Sequence, residues 1–245
     1  MPLRNIKLTI EYNGTHYHGW QTQLPKLRTI QRTIEDKLKK ILNEKIALIG
    51  SGRTDAGVHA LAQIANFKTA SSISLTKLQY ALNSLLPPDI VIKKVEEVDL
   101  GFHSRFSAKS KVYRYIILNR SYPSAFLKDR VYFYPYPLDI NLMRKAAILL
   151  KGKHDFRCFQ LKDKIERDSI RTIKDIRIKK RGSFIYIEIE ADGFLYGMAR
   201  SIVGTLIEIG KGKAIDTKRL LKMKDRSLGG PTVPASGLYL VKIKY

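Results

Sequence analysis

One acid in this chain sits in a frame that suggests chemistry. In the stretch Ser51-Gly52-Arg53-Thr54-Asp55-Ala56-Gly57-Val58-His59-Ala60, Asp55 lies between two glycines and just beyond an arginine. Glycines on both sides of a polar tip allow positive φ or the close approach of another molecule. An aspartate at such a tip is placed to touch a ligand; the structural alternative is an Asx-turn that merely closes the loop. Arg53 is near enough in sequence to form a charge-assisted pair that keeps the carboxylate ionised and oriented.

Two further elements carry chemistry-bearing residues. Arg200 interrupts the apolar run Phe194–Val203. A buried guanidinium without a partner is costly, so Arg200 either faces a cleft or meets a carboxylate, or it snorkels outward to water. In Lys111-Val112-Tyr113-Arg114-Tyr115, a strand would put Tyr113 and Tyr115 on one face and Arg114 on the other. Aromatic faces beside cations suit base stacking, while cross-strand packing is the alternative.

Several familiar machines are excluded. Zinc deaminases need a P-C-x-x-C pair, and Cys158 is the only cysteine. Gly204–Gly212 has the wrong glycine spacing for a phosphate loop, and Gly212 stands where Ser or Thr would bind magnesium; a helix end capped by Gly210 explains it better. Lys151-Gly152-Lys153 begins like an RNA-recognition motif but lacks the stacking aromatic. His16 and His18 have no third ligand nearby and read as surface or RNA-facing residues, so no metal site is expected. Asp55-Ala56-Gly57 lacks both the hydroxyl and the second copy of an aspartic protease.

Charge narrows the partner. The 245 residues include 45 Lys+Arg against 22 Asp+Glu, a formal net charge of +23. Like charges repel in a compact chain, so such an excess points to a polyanion, nucleic acid first; a generally lysine-rich proteome is the plainer explanation. A lone cysteine fits a reducing compartment. The start of the chain lacks a signal-peptide pattern, and the longest apolar run is short and carries Arg200 and Glu208. A cytoplasmic protein with no membrane partner is expected.

Strand and helix patterns alternate around these residues. Strand-like runs at 6–12, 61–69, 90–98, 111–119, 130–135, 170–180, 183–192 and 238–245, and a short buried one at 46–50, predict strands, with 170–180 and 183–192 forming a hairpin around Arg181-Gly182. Ile30, Ile34, Leu38, Ile41 and Leu42 share a helical face behind a Thr29 cap. Further helices are predicted at 74–86, before Pro87-Pro88, at 139–152 and at 194–210. Single helices between strands, twice over, suggest an α+β chain of two halves, residues 1–105 with the Asp loop and 106–245 with the tyrosine strand and the arginine helix.

Taken together, these motifs resemble the tRNA pseudouridine synthase A (TruA) family. Glu11–Gln23 is similar to that family's opening strand and turn, and Ser51–Ala60 to its catalytic loop. Phe102–Asn119 and Asp192–Gly204 are similar to later motifs, and Ala235–Ile243 to the closing strand. The resemblance implies a pseudouridine synthase fold, with mostly antiparallel sheets joined across a central cleft. It implies a homodimer that isomerises uridines 38, 39 and 40 in the tRNA anticodon stem-loop, with no metal or organic cofactor and no DNA partner. By position, Asp55 would be the nucleophile, Tyr113 would stack on the target uracil, and Arg53 and Arg200 would flank the aspartate. Where the family usually has His-Met-Val-Arg-Asn, this chain has Gly197-Met198-Ala199-Arg200-Ser201, which keeps the arginine. A non-catalytic RNA-binding protein or chaperone would explain the charge and the tyrosines, but not the framed Asp55 or an arginine in an apolar helix.

Overall fold

A period of two along the first strand sets the frame. In β1 (Arg4–Tyr12), Ile6, Leu8, Ile10 and Tyr12 are buried while Lys7, Thr9 and Glu11 take the other side, as a half-covered strand requires. The computed structural model describes residues 2–22, 27–161 and 168–245; Gln23, at the end of the first family-like stretch, lies outside the described residues. The elements that follow are α1 (Ile30–Leu42), β2 (Ile49–Gly50), β3 (His59–Thr69), α2 (Leu75–Leu85), β4 (Ile90–Val98), β5 (Ser110–Leu118) and β6 (Tyr132–Phe133). After them come α3 (Ile140–Ile148), β7 (Gly152–Asp155), β8 (Ile170–Arg181), β9 (Phe184–Ala191), α4 (Met198–Gly210), α5 (Thr217–Met223) and β10 (Leu238–Lys244). Among the described residues no helix is long and apolar enough to cross a membrane.

The chain forms two compact units, Met1–Lys109 with Tyr239–Tyr245, and Ser110–Leu238. Each is α+β, as the alternating pattern predicts. In the first unit β1 lies antiparallel between β3 and β4, β2 pairs with β3 at Ile49↔Asn66 and Gly50↔Ala65, and Tyr239 and Leu240 of β10 run parallel to His59 and Ala60. Helix α1 buries Ile30, Ile34, Leu38 and Leu42, and the Thr29 hydroxyl accepts from the Arg32 amide at its start. In the second unit β5, β9, β8 and β7 form an antiparallel ladder with β6 parallel to β5. Gly182, at φ +55°, makes the β8–β9 turn that the sequence places at Arg181-Gly182.

Several boundaries differ from the sequence reading, each for a local reason. Strand β2 holds only Ile49 and Gly50, because side chains of α1 take the preceding backbone. Glu35 accepts from the Leu48 amide at 2.9 Å, and Gln31 donates to the Leu48 carbonyl at 3.1 Å. Strand β6 is likewise only two residues long. Helix α3 stops at Ile148, and Gly152, at φ +104°, opens β7 rather than ending the helix. Helix α4 starts at Met198 rather than Phe194, since Gly197 before it is left-handed, at φ +71°. Strand β7 and helix α5 are too short to show a period in the sequence.

Candidate active site

The Asp55 loop joins β2 to β3, and it is held along its backbone rather than left to its own turn. The segment after β1, residues 13–20, lies along it as a strap. Trp20 donates its amide to the Thr54 carbonyl at 3.0 Å, and the Gly57 amide donates to the Tyr17 carbonyl at 3.3 Å. Close approach explains the strap's glycines. A Cβ on Gly19 would come 2.5 Å from the Thr54 carbonyl oxygen and 3.1 Å from the Asp55 carbonyl carbon, and one on Gly14 would come 2.0 Å from the Val58 oxygen. Such distances exclude any side chain without movement of the loop.

The strap is itself anchored. Trp20 is buried, packed against Gly50, where a Cβ would fall 2.4 Å from the indole. The Tyr17 hydroxyl donates to Asp89 at 2.6 Å and accepts from Arg28 at 2.9 Å, and the Arg28 guanidinium lies 4.6 Å from the Tyr17 ring centre. Burial, then the bond to Asp89, pushes the Tyr17 phenol well above its ordinary range. Beneath the loop, the Tyr12 hydroxyl shares a 2.7 Å hydrogen bond with the Thr54 hydroxyl, and Gln63 donates to the Gly52 carbonyl at 2.7 Å. Burial raises the Tyr12 phenol strongly, which keeps it protonated and neutral under the loop.

Asp55 itself is half-buried, at a turn closed by the Val58 amide on the Asp55 carbonyl at 3.2 Å. Gly57 takes φ +76°, one of the two uses foreseen for the bracketing glycines. Arg53 is exposed, and its Nε donates to Gln21, the residue just after the strap, at 3.0 Å. His16 and His18 are both exposed on the strap, as expected of surface residues.

Tyr113 and Arg200 belong to the second unit. Tyr113, on β5, is buried and meets Phe194 edge-on, with ring centres 4.8 Å apart and planes at 76°. Tyr115 shares its face, as strand geometry requires, and donates to the Pro234 carbonyl at 2.8 Å. Every residue of α4 is buried except Arg200, which is half-buried. Residues 229–233 pack on the helix backbone. A Cβ on Gly204 would overlap the Pro231 oxygen at 1.7 Å, and Thr205 accepts from the Gly230 amide at 2.9 Å. That contact delivers the Val233 carbonyl to the Arg200 Nε at 2.8 Å and fixes the side chain.

The departures from the usual family residues fit this packing. Gly197 caps α4 in a left-handed conformation, and a Cβ there would come 2.5 Å from Leu161. Ser201 is buried against Thr232, with hydroxyls 3.0 Å apart.

The family model for tRNA pseudouridine synthase matches residues 8–107 and 146–245. The tRNA pseudouridine synthases A of Acetivibrio thermocellus and Thermoanaerobacter pseudethanolicus are each 48% identical over 245 residues, covering 99% of this chain and 100% of the relative. The enzyme of Caldicellulosiruptor bescii is 47% identical over the same span. This chain belongs to the tRNA pseudouridine synthase A family. It is therefore an isomerase of tRNA uridines with a pseudouridine synthase fold. For this family member the +23 charge acquires a partner, since tRNA is a polyanion.

The sequence reading of this synthase missed the strap and Phe194. Asn13-Gly14, Gly19 and Trp20 were visible signals: paired glycines beside a lone tryptophan mark a close backbone crossing. Phe194, one residue beyond Gly193, gave no signal of its own until β5 and β9 were paired.

Proposed function

We propose that this synthase isomerises uridines 38, 39 and 40 of the tRNA anticodon stem-loop, with Asp55 as a covalent nucleophile. The observation that carries this reading is the fixed backbone of residues 54–58, which presents one carboxylate on a loop that cannot relax without disturbing Trp20, Tyr17 and Tyr12. Uridine and pseudouridine are isomers. N1–C1′ breaks, C5–C1′ forms, and the proton lost at C5 is balanced by the one gained at N1. No electrons are exchanged, so the reaction asks for no redox group, and the enzyme acts without metal or organic cofactor.

A carboxylate splits this rearrangement into two easier steps by holding one fragment covalently. Attack at C1′, attack at C6 and abstraction of a ribose proton all call for the ionised acid. The target base must leave its stack to be reached, and contacts in the enzyme offset that cost. Tyr113 stacks on the target uracil, and Arg53 and Arg200 bind the substrate beside the reacting groups. The first 105 residues bring the nucleophile; the remainder bring the tyrosine strand and the arginine helix. The enzyme works as a cytoplasmic homodimer.

The test is to map pseudouridine by chemical labelling and primer extension in unmodified tRNA transcripts. New pseudouridine at 38, 39 or 40 supports the reading. Modification confined to another arm would refute the site assignment while leaving the enzyme class intact.

A further inference from the structure

The turn His103–Ser107 holds an aromatic ring out in solvent. Phe106 is 78% exposed, yet the backbone that carries it is tied down. The amides of Arg105 and Phe106 both donate to Nδ1 of His103 at 3.2 Å, the Ser107 amide donates to the His103 carbonyl at 2.9 Å, and the Ser107 hydroxyl accepts from the His103 amide. The His103 and Phe106 rings stack with centres 4.3 Å apart, and the Arg105 guanidinium lies 5.7 Å from the Phe106 ring centre. Arg105 and Lys109 are themselves exposed. An exposed apolar ring on a mobile loop would be unremarkable; one on a turn with this many bonds is pre-organised.

The turn is also joined to the strand that leads into the Asp55 loop. Ser104 is fully buried. Its hydroxyl donates to the Ile49 carbonyl in β2, and its amide donates to Asn66 of β3 at 2.9 Å. Asn66 in turn donates to Asn5 at 2.9 Å, and Asn5 donates to the Asp99 and Phe102 carbonyls at 2.8 and 2.9 Å. Two buried amides thus clamp residues 99–104 to the sheet, and Ser51 begins the Asp55 loop directly after β2.

We infer that Phe106 is an RNA contact: its ring stacks on an unpaired nucleobase of the tRNA substrate while Arg105 and Lys109 meet the adjacent phosphates. The occupant follows from the chemistry. A ring beside a guanidinium, three residues before an exposed lysine and on an enzyme of tRNA with net charge +23, complements a base attached to a phosphodiester rather than an uncharged protein face. The inference rests on the tRNA substrate and not on the role given to Asp55.

The experiment measures dissociation constants of the full-length enzyme for an unmodified tRNA transcript and for a fully paired RNA duplex across a salt series. Phe106→Ala is expected to weaken tRNA binding by about tenfold, with an unchanged salt slope and an unchanged thermal midpoint. Duplex affinity should stay within about twofold, since a stacked duplex offers no unpaired face. Phe106→Trp is expected to restore tRNA binding, whereas Arg105→Gln should reduce the salt slope by about one. The inference is overturned if Phe106→Ala binds tRNA like wild type, loses duplex affinity equally, or loses tRNA binding together with its thermal midpoint. It is overturned too if Phe106→Ala changes the association state in sedimentation, since the ring would then serve a second copy of the chain.

Discussion

Gly19→Ala separates the strap's role in positioning from its role in stability. At φ +86° an alanine is strained, at a cost of about 1–2 kcal/mol. Its Cβ would also sit 2.5 Å from the Thr54 oxygen, roughly 0.9 Å inside ordinary van der Waals contact, and 3.2 Å from the Ala56 nitrogen. The Asp55 backbone must therefore retreat by something near an ångström, a misplacement that costs a reacting group about 100-fold in rate. Gly212→Ala is the matched control: φ is +90°, but a Cβ there meets nothing within 4 Å. Both variants should lose about 2–8 °C in thermal midpoint. Single-turnover pseudouridine formation under saturating enzyme should fall about 100-fold in Gly19→Ala and hold steady in Gly212→Ala, with tRNA affinity unchanged in each. Equal rates for the two variants would refute the claim that the strap places the loop.

Two other predictions test what surrounds the site. Tyr12→Phe removes the partner of a buried Thr54 hydroxyl and should destabilise the fold by about 1–3 kcal/mol in urea melts, with a smaller loss of rate than Gly19→Ala; a neutral change would mean that the hydroxyl pair carries no load. In α4, burial works to raise the Glu208 carboxyl, but its bonds to Lys211 and Lys213 outweigh this and hold it below its ordinary 4.5. A lowered folded value means that the stabilisation is full above that ordinary value and is lost as pH falls through the folded one. Stability of the wild type should therefore drop below about pH 4.5 more steeply than that of Glu208→Gln, and parallel acid limbs would sink this assignment.

Local patterns made much of the fold legible. The spacing of Ile30, Ile34, Leu38 and Leu42 behind Thr29 located α1, because a helical face is written in the sequence at every turn. The hairpin at Arg181-Gly182 was readable for the same reason: two alternating runs flank a residue that accepts positive φ. Non-local partners were not legible. The support of Asp55 comes from Tyr12, Tyr17 and Trp20, some forty residues earlier in the chain, and Arg53 donates to Gln21, which follows directly on Trp20. Arg200 shows the limit from the other side. The apolar run around it signalled burial, but the chain that fixes its guanidinium is Pro231–Val233, which carries no periodic signal. Gly197, met in the sequence as a departure from the usual histidine, became intelligible once its left-handed backbone and the Leu161 contact were in view.

Tritium release from uracil C5 tests whether Asp55 carries the chemistry. Unmodified tRNA labelled at uracil C5 would be incubated with wild type and with Asp55→Asn, without added metal or cofactor, and binding of the same tRNA would be measured in parallel. Release is expected from wild type and none from Asp55→Asn, with tRNA affinity within about twofold for the pair. Appreciable release by a folded, tRNA-binding Asp55→Asn enzyme would contradict that role for Asp55.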